Sequence, residues 1–129
     1  MGCLMISAAI AVQPPRSTVH IKQLQQASRR LLVVPRDAER GRYMVASAAD
    51  PALHYEVVLL PGELAGHCTC AWSRHGGINC KHVLAALRAS YAPRGSLSFW
   101  ASPGEARRQH RQVLPGERIY ATLRPRGRG

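Results

Sequence analysis

Apolar and polar positions change rhythm several times along the 129-residue chain. In TVHIKQLQQASRRLL (18–32), Ile21, Leu24, Ser28 and Leu31 recur at helical spacing with Thr18 near the start, which predicts an amphipathic helix. VVPRDAERGR (33–42) reads as a turn region closing on Gly41. RYMVAS (42–47) alternates and is rich in β-formers; DPAL breaks it, and HYEVVLL (54–60) resumes the two-residue period. PGELAG turns the chain back into HCTCAW (67–72), a third short extended segment. In CKHVLAALRASY, Val83, Leu84, Leu87 and Tyr91 share one side, so a helix is expected from about Lys81.

Further on, SPGE (102–105) places Ser102 as an N-cap, Pro103 at the first helical position and Glu105 three residues past the cap. That helix is expected to run to about Val113. LPGE then turns the chain, and RIYATLR (118–124) alternates Ile119, Ala121 and Leu123 against Tyr120, Thr122 and Arg124 as a last strand. RPRGRG is expected to be a disordered basic end. No internal repeat is evident.

Length allows one domain, and composition adds that its core will hold few large rings, since Phe, Trp and Tyr total seven. The charge balance changes the picture more. Against 7 Asp+Glu stand 18 Lys+Arg, of which only Lys22 and Lys81 are lysine. Such an excess favours polyanions or an anionic partner surface, although arginine-heavy chains also arise from GC-rich coding.

The opening MGCLMISAAIAV is the one continuous apolar run and is too short to span a bilayer. It lacks the basic start of a signal peptide, and Ile6 stands where a myristoylation motif needs Ser or Thr. A frayed or hydrophobically docked leader over 1–17 is expected, with no membrane partner. The expected compartment is a reducing cytoplasm. In a reducing compartment, clustered cysteines are ligands or catalysts more often than disulfides.

Three of the four cysteines and three of the six histidines fall within HCTCAWSRHGGINCKH (67–82). The order is Cys68-x-Cys70, nine residues, then Cys80-x-His82. One residue between two cysteines of a strand puts both sulfurs on one face. Cys80 and His82 straddle a helix start, where free N–H groups and the positive dipole end favour a thiolate. Three thiolates and an imidazole satisfy tetrahedral zinc. A redox pair ordinarily has two intervening residues, and a Cys-His hydrolase lacks an orienting acid here, since none lies between Glu63 and Glu105. Zinc is the favoured reading over a redox pair or no joint role. His67, on the other face of the strand, and His75, in the loop, are the local competitors.

CTC…CKHVLAAL resembles a SWIM zinc finger: Cys-x-Cys, a variable spacer, then Cys-x-His entering a helix. The two preceding β-type segments, Trp72 two residues past Cys70, and Lys81 between Cys80 and His82 also match, and the resemblance covers about 21–90. HGGIN departs from the proline-containing turn that many members have before the second pair. The resemblance implies Cys68, Cys70, Cys80 and His82 as ligands of one structural zinc ion, with Trp72 as a shield. The expected fold is then a small α+β zinc-binding domain: a three-stranded antiparallel β unit followed by a zinc-nucleated helix, plus a C-terminal helix–strand extension. The expected division is leader 1–17, zinc-binding domain 18–92 with its finger core at 54–90, and basic extension 93–129. Family members occur in chromatin-remodelling ATPases, transposases and ubiquitin-linked regulators, which implies DNA or protein as partner; without such segments this chain looks like a short stand-alone bacterial form.

Two function classes stay open. Residues 94–129 hold eight Arg against two Glu. Arg107, Arg108 and Arg111 share one side of the expected helix, and Arg124, Arg126 and Arg128 follow, so phosphate binding is one reading, with DNA favoured over RNA. The other is a protein-interaction adaptor docking through Phe99 and Trp100 in YAPRGSLSFW. There is no paired-carboxylate site, no phosphate-binding glycine loop and no nucleophile with its base. Neither catalysis nor a small-molecule substrate is expected.

Overall fold

Two antiparallel sheets and two longer helices share one apolar core in the computed structural model, which describes residues 18–47, 49–50, 52–70, 80–109, 111–116 and 119–125. The first sheet runs β1 (Leu31–Asp37), β2 (Arg42–Ser47), β3 (His54–Leu59) and β4 (Gly66–Cys68), each strand beside the next. Alternation along these strands sorts their side chains. Tyr43 and Val45 of β2 and Val57 and Leu59 of β3 are buried on the inner face, while Leu32, Val34 and Val58 face outward and are exposed. Helix α1 (Thr18–Ser28) and helix α2 (Lys81–Tyr91) pack on each other, and α2 lies on the inner face of the sheet. Six consecutive residues of α2, His82 to Leu87, are buried, so this helix is the centre of the molecule.

The α+β class and the strands at 42–47 and 54–59 are as expected. The three-stranded unit gains a fourth strand. The first helix stops at Ser28, and the segment read as a turn supplies β1 and a 3-10 turn (Ala38–Arg40) that Gly41 closes at φ 75°. Leu31 therefore does not continue the helical stripe. It pairs with Ser47, and Val33 pairs with Val45, so both reach the core by strand alternation. Cross-strand pairing outweighs the weak local preference for extending the helix.

Past α2 the chain forms β5 (Gly95–Trp100), the short helix α3 (Pro103–Arg107), β6 (Gln112–Pro115) and β7 (Tyr120–Pro125), with sheet order β5-β7-β6. The extension is thus strand–helix–strand–strand instead of helix–strand. Ser102 caps α3 as expected, its Oγ accepting from the Glu105 amide at 3.2 Å. The helix ends at Arg107, not Val113, because Val113 and Leu114 pair with Thr122 and Ala121 of β7. Leu97, Phe99, Ile119, Ala121 and Leu123 join the same core as Val45 and Leu84. Phe99 is fully buried, which removes it as a docking residue.

Candidate metal centre

Strand β4 delivers the first pair of cysteines. Cys68 stands opposite Val57 on the inner face. The pairing continues one step beyond the strand, where the Thr69 amide donates to Glu56 O at 3.2 Å and the Glu56 amide donates to Thr69 Oγ1 at 3.1 Å. Alternation is therefore preserved through Cys70: His67 and Thr69 are exposed, Cys68 and Cys70 buried. His67 is turned away from the cluster by the same geometry that turns the cysteines in.

A close approach makes this possible. At Gly66 an added Cβ would lie 2.7 Å from Val58 O and 3.0 Å from Leu59 Cδ2, so a side chain there would push β4 off β3.

Helix α2 delivers the second pair. Cys80 is its N-cap, in extended conformation at φ −68° and ψ 172°, and its carbonyl accepts from the Leu84 amide at 3.0 Å. Its side chain makes no capping hydrogen bond and turns to the other cysteines. His82, in the first turn, presents Nδ1 to Cys80 Sγ at 3.7 Å. Its ring packs at 44° against Tyr55, centroids 4.5 Å apart, which fixes its orientation from β3.

The ligand atoms of Cys68, Cys70, Cys80 and His82 lie within 4.8 Å of one another, and all four residues are buried. Cys70 Sγ and Cys80 Sγ are 3.6 Å apart. That is far beyond a disulfide bond, and all three cysteines are free thiols. It is close to the edge of a tetrahedron with zinc–sulfur bonds of the usual length, about 3.8 Å. Three sulfurs and one imidazole nitrogen at this spacing fit one zinc ion, with all four positions filled by protein.

The electrostatics favour ligation. A hydrogen bond from the Cys68 thiol, opposed by burial and aided by His82 and the Val83 amide, pulls the Cys80 thiol down to about 4. That hydrogen bond, together with burial, pushes Cys68 up. The Cys70 amide donates to Cys68 Sγ at 3.4 Å, a contact that helps a sulfur carry charge. Cys80 is thus the first thiolate, and a bound dication would displace the remaining protons. Such a closed site contributes folding free energy and no reactive position.

Sequence alone missed the neighbours of the cluster. Tyr55 could be read only as a strand residue, because its contact with His82 depends on how β3 lies beside α2. Leu24, Leu31 and Leu53 line, with Tyr55, a hollow of about 510 Å³ that reaches Cys70, Cys80 and His82. Trp72, expected as a shield, and His75 lie outside the described residues, as does Cys3.

The arginines are dispersed relative to expectation. Arg107 ends α3, Arg108 is its C-cap and Arg111 lies beyond it, so the three do not share a helix face. All three are exposed, as is Arg124 on β7. Arg126 and Arg128 lie outside the described residues. No helix among the described residues is long and apolar enough to cross a membrane.

Residues 55–91 match the family model of the SWIM zinc finger, a span that opens in β3, takes in all four clustered residues and closes at the end of α2. No curated protein and no solved structure matches the chain.

Proposed function

We propose that this chain, which carries a SWIM zinc finger at residues 55–91, is a nucleic-acid-binding module whose zinc serves structure and not catalysis. The observation that carries the reading is charge: a formal net charge of +11, with Arg107, Arg108, Arg111 and Arg124 exposed in the segment that follows α2. Guanidinium groups so placed can neutralise phosphates and release counterions, which gives affinity without base readout. The zinc-centred finger would act as the rigid base from which this surface is held. DNA is favoured over RNA, and no reaction is assigned to the chain.

The test is binding of labelled mixed-sequence DNA and RNA oligomers to the zinc-loaded chain across a salt series. The reading predicts a linear fall of log K with log salt and tighter binding of DNA. Absence of binding at 50 mM salt would remove it.

A second reading, a protein-interaction adaptor, is favoured by one observation. Leu32 and Val34 project outward from β1, the edge of the first sheet, and each is about half exposed. Oligomers that fail to bind, together with a protein retained on that edge, would select it.

A further inference from the structure

Two cations outside the arginines named from sequence stand where α1 and α2 end. Arg29, just past α1, donates from Nη1 to Gln26 Oε1 at 3.2 Å. Across from Arg29, Arg88 stands in the last turn of α2. The two arginines line one groove of about 290 Å³ together with Leu31, Val33 and the small residues Ser28, Ala85, Ala89 and Ala92. Small side chains let a ligand sink between the guanidiniums, and no acidic residue lines the groove among the described residues.

The charges are not balanced locally. Burial lowers the Arg88 pKa, and the neighbouring Arg29 lowers it further. Both helices end beside the groove, and each C-terminus carries about half a negative charge. Together the two ends offset about one of the two guanidinium charges and leave the groove cationic.

We propose that the groove between Arg29 and Arg88 seats a backbone phosphate of a bound nucleic-acid strand. The inference rests on the nucleic-acid reading and locates its phosphate contacts. Specific base contacts are not part of it.

The experiment is anisotropy of a fluorescein-labelled mixed-sequence oligonucleotide, single- and double-stranded, titrated with the zinc-loaded full chain over a salt series. Arg29→Gln, Arg88→Gln and Arg88→Lys are compared with wild type, with thermal melts run in parallel. Arg29 is exposed just past α1, so its variant stays folded even if Arg88→Gln does not. Each Gln variant is expected to lower the slope of log K against log salt by about 0.9 and to weaken binding roughly eightfold at 0.1 M salt, whereas Arg88→Lys keeps the slope. Wild-type binding with an unchanged slope in Arg29→Gln overturns the groove and leaves the nucleic-acid reading standing. No binding by wild type overturns both.

Discussion

The side-chain oxygen of Gln25 accepts a 2.8 Å hydrogen bond from the backbone amide of Phe99, a residue 74 positions later. Gln25 is buried on α1, and Phe99 lies on β5, the outer strand of the second sheet. An edge amide that would otherwise face the core without a partner is thereby satisfied. Lys22 Nζ donates to the same oxygen at 3.3 Å and sits 3.6 Å above the Trp100 ring. The first helix and the last sheet are thus tied to each other as well as to the finger between them.

Gln25→Ala should therefore cost about 1–3 kcal/mol, the penalty for a buried amide left unpaired. Urea denaturation measures it, and hydrogen exchange at the Phe99 amide should quicken in the same variant. An unchanged midpoint with unchanged exchange would show that this tie contributes nothing.

Packing predictions separate the two faces of the first sheet. Leu84 is fully buried in α2, and Leu84→Ala should lose about 2–5 kcal/mol. Leu32 is 50% exposed on β1, and Leu32→Ala should stay within about 0.5 kcal/mol. Equal losses would mean that the outer face is covered.

Much of the finger was legible because its signals are local. The two-residue period fixed 42–47 and 54–59, and the spacing of Cys68, Cys70, Cys80 and His82 named the four residues that the fold brings together. Ser102, Pro103 and Glu105 announced a helix start for the same reason. What was not legible depends on partners distant in sequence. Leu31 and Val33 suit a helix or a strand, and only β2 decides. Gln112–Pro115 is a strand because β7 lies beside it, and GSLSFW is one because β7 and Gln25 receive its two edges. Arg29 and Arg88 are unremarkable as letters, and line one groove only because α1 packs on α2.

Gly66→Ala tests how the first pair of cysteines is positioned. The new methyl would meet Val58 O, so β4 must shift, at about 1–3 kcal/mol. Cys68 is two residues on, so the variant should also give up zinc to a competing chelator at lower concentration than wild type. Retention equal to wild type would show that the cluster is held independently of β4.

Tyr55→Leu keeps an apolar side chain beside His82 but removes the ring contact. Ordering of the imidazole should weaken, seen as roughly tenfold lower metal affinity in competition titrations, a loss in the usual range for a residue that orients a ligand. Tyr55→Phe should restore affinity, because the hydroxyl is not part of that contact.

The most direct measurement is native mass spectrometry of the full chain under reducing conditions, paired with circular dichroism, for wild type and Cys80→Ser. A closed Cys3His site predicts one zinc ion per wild-type chain and, in the variant, loss of that ion together with folded structure. A wild-type chain that is fully folded yet metal-free would contradict the account.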